Sequence, residues 1–296
     1  MKLLMLCREP RLYSCQRLQQ AAQQRGYRLE ILDPNRFLLK LEQGKFHAYY
    51  QDHALGYAQK LADYLGVLPR FGTTSTEIGC NVLAHFERQG VAVLNHSAAF
   101  RLARDKWQSL QALAAQGMSV PDSLIYGEEY DTAESLHHLP LPLVIKTLSG
   151  SQGLGVMLAE QASSAKSLLD TLRTAKIGTL QQRFIQEANG QDIRAFVIGD
   201  RVVAAMVRQS ADGEFRANIH QGGSAQAITL SEAEQQMAVA AAHAIGLAVA
   251  GVDLIRAEQG LQVLEVNASP GLEMIERVSQ VDIAGLMIDH LIATIR

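Results

Sequence analysis

Two short apolar segments, Gly251-Val-Asp253-Leu-Ile-Arg256 and Val263-Leu-Glu265-Val-Asn267, carry oxygen-bearing side chains at strand spacing. Residues two apart share one face of a strand, so Glu265 and Asn267 point the same way and Asp253 on a neighbouring strand can join them. Two carboxylates and an amide, with no Cys or His nearby, suit a hard cation such as Mg2+, which keeps part of its water and bridges phosphates. The competing reading caps a strand with Asp253 and leaves Glu265 in solvent. A carboxylate set into an apolar strand is costly without a counter-charge, and this favours the metal.

A second group lies in Val144-Ile-Lys146-Thr-Leu-Ser-Gly150-Ser151-Gln-Gly153-Leu-Gly155-Val156, a lysine followed by three glycines in six residues. The glycine spacing departs from the dinucleotide fingerprint, and Val156-Met-Leu-Ala159 is strand-like where that motif needs a helix, which argues against a dehydrogenase. A Walker loop would place its lysine after the glycines. What remains is a strand, loop and strand able to fold over phosphates, with backbone N–H groups as donors and Lys146 as the charge. Such loops are often only turns. Joined to the candidate metal set and to Lys106, this one describes a nucleoside triphosphate site spread over two domains.

The elements that must hold these groups follow a mixed α/β pattern. Leu3–Leu6 reads as a buried strand, 14–25 as a helix stopped by Gly26, and 28–32 as a second strand, which makes a βαβ opening. A hairpin is expected within 40–59, a third strand at 64–69, a helix up to Gln89 and a short strand at 92–94. A single helix is expected from Ser97 to Gln116. Beyond it come strands at 143–146 and 156–159, a helix at 162–173, a strand pair at 193–198 and 202–207 turned by Gly199-Asp200, and a helix at 231–245 opened by the capping box Ser231-Glu-Ala-Glu234. Strands at 251–256 and 261–266 and one C-terminal helix complete the chain. Domains are expected at 1–95, 96–180 and 181–296.

Composition narrows the partners. The chain has 296 residues, 48% of them hydrophobic, and a formal net charge of -3. It can bury a substantial core, and it lacks the basic field that a nucleic acid grip needs. The apolar run at residues 3–6 is too short for a signal peptide and no segment reads as a membrane span, so the expected location is cytoplasmic. Three cysteines at no metal-ligand spacing fit a reducing compartment. There is no Gly-x-Ser-x-Gly elbow and no convincing Cys–His pair, so covalent nucleophilic catalysis has no candidate.

Across essentially its whole length the chain resembles the ATP-grasp carboxylate–amine ligases, and among them the RimK-like glutamate ligases, which extend a ribosomal protein C-terminus by α-linked glutamate. The resemblance is carried by Leu12-Tyr-Ser-Cys15, Pro69-Arg-x-Gly-Thr73, Ala103-Arg-Asp-Lys106, Gly150 to Gly155, Gln191-Asp-Ile-Arg194, Gly251-Val-Asp253 and Glu265-Val-Asn-Ala-Ser-Pro-Gly-Leu272. It implies an ATP-grasp fold, with a Rossmann-like pre-ATP-grasp domain followed by two α+β subdomains that clasp ATP. It further implies two Mg2+ or Mn2+ ions on Asp253, Glu265 and Asn267. Lys106 and Lys146 would contact the phosphates, with Ser151, Gly153 and Gly155 over them. Arg183-Phe184 would form the adenine hinge, Asp192 would sit on the ribose or adenine side, and Arg216-Ala217-Asn218 would form another nucleotide-contacting stretch.

Arg208 is expected at the transferred phosphoryl group, with Lys146 beside it in catalysis, and Arg70, Arg208 and Asn218 at the substrate. His220, in the loop after Asn218, is a further site candidate. Two positions depart from the family pattern: Arg183 replaces the usual Glu and Ala217 the usual Ser. The implied reaction activates a carboxylate as an acyl phosphate and joins it to an amine. Glutamate is the expected amine and a protein C-terminus or oligoglutamate end the expected acceptor. A cofactor, carrier protein or dipeptide substrate stays open, as does a non-catalytic ATP-binding regulator, which Arg183 favours. The family also implies a homo-oligomer.

Overall fold

The computed structural model describes residues 1–52, 56–150, 155–211 and 223–295. The chain begins β1 (Lys2–Leu6), α1 (Tyr13–Gln24), β2 (Arg28–Leu32), β3 (Phe37–Glu42), β4 (Lys45–Gln51), β5 (Ala58–Lys60), β6 (Gly66–Pro69), α2 (Thr76–Glu87) and β7 (Ala92–Val93). Parallel pairing in the order β2-β1-β6-β7 puts β1 inside the first sheet, and Leu3 to Leu6 are wholly buried. A strand covered on both faces reads as an unbroken apolar run, which is why Leu-Leu-Met-Leu does not alternate. Gly26 follows α1 at a φ of +77°, the left-handed position that ends helices. The segment expected as one hairpin is a three-stranded antiparallel sheet, β3-β4-β5.

The middle of the chain forms α3 (Ser97–Arg104), α4 (Lys106–Ala115), β8 (Ser123–Leu124), α5 (Thr132–Ser135), β9 (Leu143–Thr147), β10 (Val156–Ala159), α6 (Ala162–Thr174) and β11 (Thr179–Arg183). The single helix expected over 97–116 is broken at Asp105. That residue leaves helical geometry (φ -87°, ψ 105°), and its carboxylate accepts from the N–H groups of Trp107 and Gln108 at 3.0 and 2.9 Å. A short acidic side chain competes well for exposed backbone donors, and here it opens a new helix instead of continuing the old one. Lys106 consequently stands at the first position of α4. Strands β10-β9-β11-β8 form an antiparallel sheet, so the boundary expected after residue 180 crosses β11.

The remainder is β12 (Gln191–Ile198), β13 (Arg201–Gln209), β14 (Ser224–Ala227), α7 (Glu232–Ile245), β15 (Val249–Ala257), β16 (Gly260–Asn267), α8 (Glu273–Ser279) and α9 (Ile283–Thr294). The capping box is present at Ser231 and Glu234. Where one closing helix was expected there are two. Between them Asp282 caps α9 by accepting from Gly285 N–H at 2.9 Å. The five strands lie antiparallel in the order β14-β13-β12-β15-β16. One face of this sheet changes character along the strands. Phe196, Ile198, Ala204 and Met206 share a buried cluster with Ile275 of α8 and with Ile283 and Met287 of α9. Two residues further along β12 and β13, the same face carries Arg194, Asp192 and Arg208.

Candidate active site

Asp253 is the centre of this charged stretch. It stands opposite Arg194 across β15–β12 and opposite Glu265 across β15–β16, while Asp192 stands opposite Arg208 across β12–β13. The pleat therefore sets all five charges on one face. Arg194 grips Asp253 in bidentate fashion, with Nε at 2.6 Å from Oδ1 and Nη2 at 2.5 Å from Oδ2. Arg208 grips Asp192 in the same way, both contacts at 2.6 Å, and its Nη2 also lies 3.0 Å from Asp253 Oδ2. Burial opposes ionisation of Asp253, yet Arg194 and Arg208 overcome it and hold the carboxyl below its ordinary range. Burial prevails at Asp192, which is pushed up to about 6 although Arg208 opposes the shift. Burial would lower the Arg208 pKa, but its two carboxylate partners raise it beyond the ordinary arginine value.

Asp253 is only 3% exposed, whereas Glu265 is exposed and Asn267 half-buried. Asn267 Nδ2 lies 2.8 Å from Glu265 Oε1 and 3.4 Å from Asp253 Oδ2, which joins the three expected ligands in one contact set. Among the described residues no three His, Cys, Asp or Glu side chains form a metal-binding group; this set has two acids and an amide. Its chemistry fits a hard cation. Arg194 Nη2, Arg208 Nη2 and Asn267 Nδ2 all lie within 3.4 Å of Asp253 Oδ2, so a cation bound there would have to displace or share these donors.

The two lysines reach protein oxygens. Lys146 Nζ donates to Gln182 Oε1 at 2.6 Å, and Gln182 in turn donates to Ser123 Oγ at 2.8 Å. Lys106 Nζ donates to the carbonyls of Leu148 at 3.2 Å and Gly150 at 2.8 Å, which ties the start of α4 to the near end of the glycine segment. Burial depresses both ammonium groups below the ordinary lysine range. Gly155 takes a φ of +75° and packs directly on Thr147, leaving no room for a Cβ. Arg183 turns its side chain toward Glu187 at 3.8 Å, and its N–H donates to Asp122 O at 2.8 Å; Phe184 N–H donates to Pro142 O at 3.2 Å. Ser151, Gly153, Arg216, Ala217, Asn218 and His220 lie outside the described residues.

Arg70, expected at the substrate, donates from Nη1 to Pro270 O at 2.8 Å and so braces the loop that follows Asn267. The same loop is held by Ser14 Oγ, which accepts from Leu272 N–H at 3.2 Å, and by Asn95 Nδ2, which donates to Ala268 O at 3.2 Å. Arg194, Gln182 and Arg104 are site groups that the sequence reading did not assign. Arg194 had a signal: it lies two residues from Asp192 on the same strand face, and a buried Asp253 required a counter-charge. Arg104 donates to Phe71 O at 2.8 Å, lies over the Phe100 ring and neighbours Glu265 electrostatically.

Comparison with known proteins agrees with this architecture. Residues 1–100 match the RimK PreATP-grasp domain and residues 103–291 the RimK-like ATP-grasp domain. Curated relatives include proteins named "Probable alpha-L-glutamate ligase" from Haemophilus ducreyi, 59% identical over 99% of both chains, and from Pasteurella multocida, 57% identical over 98% of this chain and 94% of that protein. Among solved structures, the ATP-grasp ligase PsnB complexed with a phosphomimetic variant of its minimal precursor, Mg and ADP superposes with a TM-score of 0.72 at 21% identity, covering 100% of this chain and 98% of that one. D-alanine–D-alanine ligase from Bacillus anthracis complexed with ATP has a TM-score of 0.72 at 17% identity, covering 99% and 97%. The chain therefore belongs to the RimK-like ATP-grasp family and is an ATP-dependent ligase that forms amide bonds.

Proposed function

We propose that this ligase joins L-glutamate, as the amine, to a carboxylate at a protein C-terminus or oligoglutamate end, through an acyl phosphate. The observation that carries the reading is the buried Asp253–Arg208–Asp192 network beside Glu265 and Asn267. It pairs a cation-binding oxygen set with a guanidinium whose position is fixed from two sides. The names of the relatives at 57% and 59% identity supply glutamate.

In this reading Asp253, Glu265 and Asn267 hold two Mg2+ or Mn2+ ions, which neutralise charge on the ATP phosphates when bound. Lys106 and Lys146 exchange their protein oxygens for phosphate oxygens, with Ser151, Gly153 and Gly155 as further ATP-binding residues. Arg183 and Phe184 flank adenine; their N–H groups are engaged by Asp122 O and Pro142 O, so the loss of the usual Glu at 183 is tolerable if their carbonyls make the contact and weakens ATP binding if a carboxylate is required. Asp192 keeps Arg208 oriented toward the transferred phosphoryl group, where its charge counts most in the transition state. Arg216, Ala217, Asn218 and Arg70 complete the nucleotide and acceptor contacts. The three units, 1–95, 96–180 and 181–296, then act as support, phosphate cover and metal platform, with β11 assigned to the cover.

A non-catalytic regulator would have no need of a guanidinium fixed between two carboxylates. The test is ADP release from Mg-ATP with each amino acid in turn, using peptides that end in acidic or neutral residues as acceptors, with mass spectrometry of the products. Glutamate-dependent ADP release with whole glutamyl additions is expected. Turnover that ignores glutamate, or ADP release without a product of increased mass, overturns the assignment.

A further inference from the structure

We propose that Cys7 and Cys15 form a two-thiol oxidation site, which a small peroxide closes into a disulfide that loosens the loop that follows Asn267. Cys7 directly follows β1 and Cys15 lies in the first turn of α1, with their sulfurs 3.3 Å apart in a thiol–thiol hydrogen bond donated by Cys15. Both are buried, at 4% and 1% exposure, but Cys7 lies directly before the exposed residues 8–12, and its own thiol donates to Glu9 O at 3.7 Å. The bond from Cys15 brings the Cys7 thiol down to about 7, with help from Arg70, while that bond and burial push Cys15 far up. Cys80 is the internal contrast: it is also buried, has no thiol partner, and burial pushes it up to about 11.

The chemistry balances with hydrogen peroxide as the oxidant. The Cys7 thiolate attacks one peroxide oxygen, the O–O bond breaks to give a sulfenic acid, and the other oxygen leaves as hydroxide that takes up the proton Cys7 had given up and becomes water. The Cys15 sulfur then attacks the Cys7 sulfur. The S–O bond breaks, and the departing hydroxide leaves as water with the Cys15 proton. Two thiols give up two electrons, and one peroxide becomes two waters.

The pair sits against two braces of the functional loop. Cys15 is the chain neighbour of Ser14, whose hydroxyl accepts from Leu272 N–H, and both sulfurs interact with Arg70, which holds Pro270 O. Closing the sulfurs to a bond of about 2 Å draws them together by about 1 Å. This moves the first turn of α1, and with it Ser14, away from its contact with Leu272 N–H.

The test treats the full chain with hydrogen peroxide, alkylates the remaining thiols, maps cross-linked peptides, and measures ADP release before and after dithiothreitol. We expect a Cys7–Cys15 cross-link with Cys80 still alkylated, and a reversible loss of about fivefold in turnover, the size of one lost hydrogen-bond brace. Cys7→Ser should keep basal activity and lose both effects, Cys15→Ala serves if that variant fails to fold, and Cys80→Ser should keep both effects. Three thiols still alkylatable after peroxide, or a cross-link without any change in turnover, overturns the proposal. The activity arm rests on the ligase reading and the alkylation arm does not, so the two failures are distinguishable.

Discussion

Asp192 and Asp253 are both buried carboxylates that share Arg208, yet they are driven in opposite directions. Asp253 is gripped by Arg194 as well as by Arg208 and stays ionised, whereas burial of Asp192, opposed by Arg208 and more weakly by Arg194 and reinforced by the charge of Asp253, raises it to about 6. The active form needs Asp192 deprotonated so that Arg208 is held from both sides, so turnover should fall on the acidic side of about pH 6. Asp192→Asn, which resembles the protonated form, should be slow at all pH values and show no such limb. A limb of the same midpoint in Asp192→Asn would assign the titration to another group. Asp253, Glu265 and Asn267 were legible in the sequence because period-two spacing and apolar flanks mark them. Arg208 and Asp192 were named as separate contacts; their pairing depends on β12–β13 register and could not be read from either segment alone.

At the level of elements, the polar stretch exists because β12 and β13 run beyond the cover of α8 and α9. One strand face is apolar under the helices and charged past their edge. Gly251 has a specific part in this. A Cβ there would lie 2.6 Å from Pro270 Cβ and 3.5 Å from Arg194 Nε. Gly251→Ala should therefore displace the loop after Asn267, at a cost of about 1–3 kcal/mol. Thermal unfolding and ADP release should fall together; an unchanged melting temperature would show that the loop yields freely. Strand and helix order were largely readable from periodicity and turn residues. The break at Asp105 was not, because hydrophobic spacing runs through 97–116 and only the capping geometry interrupts it. The third strand, β5, is three exposed residues with no apolar pattern to announce it.

Across the whole molecule, the first hundred residues support the candidate active centre directly. Asn95, where the sequence suggested a domain boundary, is 2% exposed and joins the units. Its Oδ1 accepts from Ala248 and Val249 N–H, both at 2.9 Å, and its Nδ2 donates to Val249 O at 2.8 Å and to Ala268 O. The sequence hid this role, because such contacts link residues about 150 positions apart. Asn95→Ala leaves buried donors and acceptors without partners and should cost about 3 kcal/mol. Denaturant unfolding with both units losing stability in one transition is the expected result, and separate transitions would contradict a shared core. That core is visible in the clusters that mix Leu4, Leu6 and Phe71 with Ile193, Val252 and Val266.

The most direct test of the central claim is the turnover of Glu265→Gln. Glu265 is exposed, and glutamine keeps an oxygen for Asn267 Nδ2, so the fold should be indifferent to the change. A ligand for the ions that neutralise the ATP phosphates should instead matter greatly. Glutamate-dependent ADP release reduced by about a hundredfold or more, at an unchanged melting temperature, is the expected result. Native turnover in Glu265→Gln would contradict the placement of the active centre on this sheet face.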